Sequence, residues 1–207
     1  MKDDCSRAAS MPARFSPTMF TLTGASASGK SATVDILRTR LIGFKFISSG
    51  EIFRGFGKEI GMEIEEFAQY NLEHPELDYD RQCEEVVAHA CSSGATFAET
   101  RIPHNIPRAF HILVKCSLEE RSRRRQQHPK YRHLSVPQVM ERLHRRDLND
   151  QLRYGIMYPD YNWSGQDFDI VLSTHGHGST PEEIANKILR RHEWWVRAMD
   201  YRMEQCA

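Results

Sequence analysis

No apolar run in the 207 residues approaches the roughly 20 that a membrane-spanning helix needs. The stretch from Met1 to Pro17 is polar, holds two prolines and lacks the apolar centre of a secretory signal. Arg7 and Arg14 would suit an organelle transit segment, but Asp3 and Asp4 count against one, so a flexible tail is expected there. Cysteine is scarce: five residues (Cys5, Cys83, Cys91, Cys116, Cys206), an odd number with no C-x-x-C pair. That pattern argues against a disulfide framework or a zinc site and fits a reducing, cytoplasmic setting. An excess of charge is also missing. Basic and acidic residues both total 28, so nothing marks a nucleic-acid polymer as a partner. There is no internal repeat, no interdomain linker, and no feature that calls for a membrane or an obligate protein partner.

What is present is enough apolar content, 40%, for one α/β domain with a proper core. The apolar run Met19-Phe20-Thr21-Leu22 reads as a buried strand. After Gly24-Ala25-Ser26-Ala27-Ser28-Gly29-Lys30-Ser31, the residues Val34, Leu37 and Leu41 recur at helical spacing. Strand, G-x-x-x-x-G-K-S loop and helix form the context of a phosphate cradle. The glycines permit the backbone conformation, and the loop amides and helix N-terminus point at phosphate oxygens. Lys30 supplies a point charge, Ser31 a hydroxyl for Mg²⁺, and Thr33 extends the expected ATP-binding set.

Further along, strands are expected at 44–47, 95–98, 110–116 and 169–172, separated by helices. Asp78 is expected to cap the helix running through Arg81, Glu84, Val87 and Ala90. Ser135, with Pro137 in the first turn, starts a long polar helix reaching about Tyr154, and 155–168 is expected to be aromatic and irregular. Thr180-Pro181-Glu182-Glu183 reads as a capping box opening the last helix. Alternating strands and helices argue an α/β fold, five parallel strands flanked by helices. Glu99, at the end of the third strand, is placed to hold Mg²⁺ through water. Arg146, Asp150 and Arg153 share one helix face, as do Arg121 and Arg124. By themselves such faces are also what solvated, salt-bridged helices show. His104, His111, His175 and His177 lack metal-ligand spacing, and Trp194 and Trp195 read as residues that pack the last helix or dock a partner subunit.

These segments together resemble the cytidylate kinase family, most closely its archaeal-type branch, from Phe20 to about Leu189. Ser48-Ser49-Gly50-Glu51-Ile52-Phe53-Arg54 is similar to the family's S-x-G-E-I-F-R segment, and Arg146-Asp147, Asp150 and Arg153 fit its R-D-x-x-D-x-x-R pattern. Glu99-Thr100-Arg101 resembles its E-G-R, with threonine standing where the family has glycine. Thr100 is therefore expected to crowd the substrate's approach. The resemblance implies a P-loop nucleoside kinase fold with a mobile lid at about 125–135, a single domain over 18–200, and tails at 1–17 and 201–207. It implies transfer of the ATP γ-phosphoryl group to CMP or dCMP with Mg²⁺ as cofactor. Lys30, Arg121, Arg124 and Arg146 would be catalytic. Gly24 to Ser31 and Thr33 would bind ATP, and Ser31 and Glu99 would hold the metal. Ser49, Arg54, Arg101, Asp150 and Arg153 would bind the acceptor. The alternatives are a kinase of the same fold acting on UMP or AMP, and a nucleotide-binding regulator without turnover.

Overall fold

The computed structural model describes residues 18–106, 109–158, 168–176, 179–191 and 193. The tails, Pro107, most of the 155–168 stretch, His177, Trp194 and Trp195 lie outside the described residues, as do Cys5 and Cys206.

The first strand, β1 (Met19–Gly24), is buried beyond its first residue and lies at the centre of the sheet. It is followed by α1 (Lys30–Arg40), β2 (Lys45–Ser48), α2 (Ser49–Glu59), α3 (Ile64–Glu73) and α4 (Tyr79–Cys91). Then come β3 (Thr96–Glu99), β4 (Phe110–Lys115), α5 (Leu118–Gln126), α6 (Val136–Met157), β5 (Ile170–Ser173) and a last helix, α7, over residues 181–191. The five strands are all parallel, in the order β2-β3-β1-β4-β5.

Alternation along β1 explains why both faces are covered. Phe20 and Leu22 point to one face, where they join Val34 and Leu37 of α1, Phe97, Ile112, and Ile184 and Ile188 of α7 in the largest core cluster. Ala98 of β3 meets Val87 and Cys91 of α4 in a separate cluster. Thr21 is buried too, and its hydroxyl bonds His111 Nδ1 at 2.7 Å, so His111 is a core histidine. Because β1 lies between β3 and β4, the chain departs to opposite sides at its carboxyl end. A crevice forms there, the usual ligand position in open parallel sheets.

Local signals set most boundaries. The Ser135 hydroxyl accepts from Gln138 N while the Gln138 side chain accepts from Ser135 N, which fixes the start of α6. Thr180 and Glu183 do the same for α7. Two expectations differ. Asp78 occupies the cap position of α4 but makes no capping bond there. Its backbone is left-handed (φ 48°) and its carboxylate turns to Arg81 Nε at 2.7 Å. The long helix also runs past Tyr154 to Met157, since Gly155 lies in the helix with open space around it and breaks nothing. Among the described residues no helix is long and apolar enough to cross a membrane.

Candidate functional site

The loop between β1 and α1 is shaped by two glycines that cannot be replaced without cost. A Cβ on Gly24 would come within 2.5 Å of the Val114 carbonyl oxygen on β4, and Gly29 adopts φ 94°. The loop is held from several sides. Arg101 Nη1 donates to Gly24 O at 3.2 Å, Thr174 Oγ1 to Ser28 O at 2.7 Å, and Arg121 Nη1 to Ser26 O at 3.0 Å. Lys30, only 6% exposed, donates to the Gly24 and Ala25 carbonyls at 2.8 and 2.9 Å and lies 3.7 Å from Glu99. Burial depresses its ammonium to a pKa of about 8, against the pull of Glu99.

A cavity of about 780 Å³ opens over this loop. Six basic side chains line it, Lys30, Arg54, Arg101, Arg124, Arg125 and Arg146, against a single described carboxylate, Glu99. Such a set attracts a polyanion. Arg54 and Arg146 make no hydrogen bond or ion pair with any described residue, although both line the cavity. Burial first, then the nearby Arg101 and Arg125, lower the pKa of Arg146, with Asp150 and Glu65 opposing. An anion between these groups would relieve that crowding.

The expected site residues divide into two groups. Ser26 to Ser31, Ser49, Arg54, Glu99, Arg101, Arg124 and Arg146 line the large cavity. Asp150 reaches only a pocket of about 30 Å³ that shares Ser49, Arg101 and Arg146 with it. Arg101 Nη2 stands 3.3 Å from Asp150 Oδ2, yet that buried oxygen accepts no hydrogen bond. Thr33 is buried and donates to Gly29 O at 3.1 Å, inside the helix and away from the cavity. Arg121, expected to be catalytic, is buried in a two-pronged pair with Asp147 (2.6 and 3.2 Å) and braces the loop through Ser26 O. Arg153, expected to clamp the acceptor, is buried between Asp80 and Asp150, donates to Asn149 at 2.8 Å, and lies over the Phe53 ring. Its donors are directed into the fold. Both arginines position cavity residues and touch the cavity only through them.

Thr100 lines the large cavity as well. Its hydroxyl donates to the Glu84 carboxylate and accepts from Ile102 N at 3.0 Å. The wall formed by Gly176, Ser179, Thr180 and Pro181 was not legible as a site, because the capping box there reads as a helix start and nothing more. The lid region, 125–135, holds a short helical turn, Pro129–Tyr131, with Tyr131 buried. Tyr131 donates to Glu65 at 2.9 Å and Lys130 to Glu63 at 2.6 Å, so the turn is fastened to α3. The Arg125 guanidinium lies 4.6 Å from the Tyr131 ring centre.

Fold and phosphate loop together define the class of architecture: the α/β fold of P-loop kinases. No family model matches the chain. The chain is similar to the cytidylate kinase of Ignicoccus hospitalis, 26% identical over 176 residues covering 84% of this chain and 98% of that one. It is similar to that of Methanobrevibacter smithii at 27% over 174 residues, 83% and 96% of the two chains. The motif resemblance to cytidylate kinases therefore extends over most of the chain. Among solved structures, shikimate kinase from Bacteroides thetaiotaomicron covers 84% of this chain and 97% of its own, with a TM-score of 0.53 at 11% identity, a likeness of fold.

Proposed function

We propose that the protein is a nucleoside monophosphate kinase that moves the γ-phosphoryl group of ATP to CMP or dCMP, giving ADP and the diphosphate. One observation carries this reading: Arg54 and Arg146, without partners among the described residues, line the same cavity as the Lys30 loop. Two phosphate sites in one cavity, one on the loop and one on the free arginines, suit a donor and a phosphorylated acceptor. The two cytidylate kinases that the chain resembles suggest the base.

The acceptor is a phosphate oxygen that is already anionic, so the reaction needs no general base. Positioning and charge neutralisation remain for the protein to supply. Donor phosphates compete with the Gly24 and Ala25 carbonyls for the Lys30 ammonium and return to it the charge that burial weakens. Arg124 is held by Glu120 at 2.9 Å and by the Thr174 carbonyl beside the loop, within reach of the transferring group. Arg54 and Arg146 hold the acceptor phosphate. Arg121 and Arg101 keep the loop carbonyls fixed while this happens.

Ser31 and Glu99 offer hard oxygen donors 3.5 Å apart on the cavity wall. One hydroxyl and one carboxylate, with phosphates and water completing the shell, suit Mg²⁺. When bound there, the ion would neutralise charge on the donor phosphates.

The buried Asp150 Oδ2 has a lone pair available to a donor on the nucleoside, and the exocyclic amine of cytosine is such a donor. UMP would place a carbonyl against it, at a cost of roughly 1–3 kcal/mol. The test is substitution of the free arginines. Arg54→Ala and Arg146→Ala should each raise the acceptor KM at least about tenfold while the ATP KM moves less than about twofold. Equal weakening of both substrates would contradict an acceptor-phosphate clamp.

A further inference from the structure

We propose that Glu84 is the positioning residue of the acceptor floor: its one carboxylate joins the start of α2 to the exit of β3, and only its ionised form holds them in register. The inference rests on the monophosphate-kinase reading.

Glu84 is 2% exposed and sits mid-way along α4. The Thr100 hydroxyl donates to its Oε2 and the main-chain amide of Arg101 to its Oε1 at 3.3 Å, while Ser49 faces the same small pocket, where its hydroxyl favours the ionised carboxylate. Ile102 N donates to Thr100 Oγ1, which orients that hydroxyl toward the carboxylate. Two donors bond, and the Ser49 hydroxyl adjoins, a group that, ionised, has no proton of its own. Two of the tethered residues, Ser49 and Arg101, line both the large cavity and the small pocket beside it. Thr100 is the position where the chain departs from the E-G-R pattern. Threonine and Glu84 act as a pair: a glycine there would leave Oε2 without that donor. A proton on Glu84 would add a donor where donors already converge, and would release Ser49 or the Thr100–Arg101 turn.

Burial is the largest influence on the Glu84 carboxyl and pushes it up to about 7, while the bonds from Thr100, Arg101 and Ser49 oppose the rise. Asp80 and Cys83 on its own helix, Arg101 at the end of β3, and Arg146, Asp150 and Tyr154 on α6 face the same small pocket. Cys91 and Tyr158 also feel its charge. Burial pushes the Cys91 thiol up to about 11 and also raises Cys83, Tyr154 and Tyr158, so none of these four titrates near neutrality. Burial raises Asp80 as well, with Arg153 pulling it back.

The experiment is the pH dependence of steady-state kinetics for the full chain, with CMP as acceptor, in the wild type, Glu84→Gln and Thr100→Val. In the wild type the CMP KM should fall about tenfold from pH ~6 to ~8 as Glu84 ionises, with no such step in the ATP KM. The phosphate of CMP also titrates near pH ~6, but it is common to all three proteins, so the difference between them is what is read. Glu84→Gln should remove the step and hold the CMP KM high, with kcat changing less than KM. Thr100→Val withdraws one donor from the carboxylate and should move the midpoint upward. It keeps the test decisive if Glu84→Gln does not fold. A step of unchanged size and midpoint in the variants overturns the proposal, as does a uniform loss of kcat and of affinity for both substrates. No turnover of wild type with CMP, UMP or AMP would instead remove the kinase reading itself, and this inference with it.

Discussion

Lys30 illustrates how a residue can be costly to the fold and yet stand where the proposed chemistry needs it. Its pKa of about 8 lies below the 10.5 of the exposed group. Between those values the unfolded chain binds the extra proton, so stability rises with pH through that window, and below it Lys30 is a net cost. Lys30→Ala at neutral pH should therefore cut turnover about a hundredfold or more while the melting temperature stays level or rises. Near-normal turnover would contradict the donor-phosphate role. Arg153 is the opposite case. It separates the Asp80 and Asp150 carboxylates. Arg153→Ala leaves Asp80 without its buried cation and Asp150 with Arg101 alone in salt-bridge range, and should cost about 3–5 kcal/mol in a urea titration. A variant of unchanged stability with only a raised acceptor KM would place Arg153 in the clamp instead. The sequence gives its helix face through the spacing from Arg146 and Asp150. It does not give Asp80, 73 positions earlier, which turns that face inward. Glu84 was illegible for a similar reason. An acid in an amphipathic helix reads as solvated, and only the packed fold brings Thr100 and Ser49 to it.

At the scale of elements, legibility follows the range of the determining interaction. The β1–loop–α1 unit is determined locally by glycine conformation, an apolar strand and a helical repeat, and it lies where the motif puts it. Capping boxes at Ser135 and Thr180 are equally local. The turn at Pro129–Tyr131 is not. Tyr131 belongs to a cluster with Val139, Leu143 and Ala27, and is fastened to α3 through Glu65. Burial raises the Glu65 carboxyl and the Tyr131 hydroxyl bond lowers it, with the net result below the usual range. Tyr131→Phe keeps the ring and removes that bond, at about 1 kcal/mol. If the turn works as a lid that keeps water from the donor, ADP release without acceptor should rise several-fold relative to transfer. An unchanged ratio would leave the turn a purely structural contact.

Over the whole molecule, a net charge of zero coexists with a cavity lined by six cations and one described acid. The overall balance does not by itself point to a polyanionic partner, and only the fold reveals where the positive charge gathers. The same scaffold carries shikimate kinase, so the acceptor has to be read from the side chains of the cavity. The proposed acceptor is itself a phosphate, and the pocket beside it is proposed to take cytosine. ADP release coupled to a dehydrogenase, with ATP and Mg²⁺ held constant and CMP, UMP, AMP and unphosphorylated cytidine as acceptors, tests both parts together. The expected result is turnover with CMP exceeding UMP at least about tenfold in kcat/KM, AMP below UMP, and none with cytidine. Turnover of cytidine comparable to CMP, or a preference for UMP or AMP, would contradict the account.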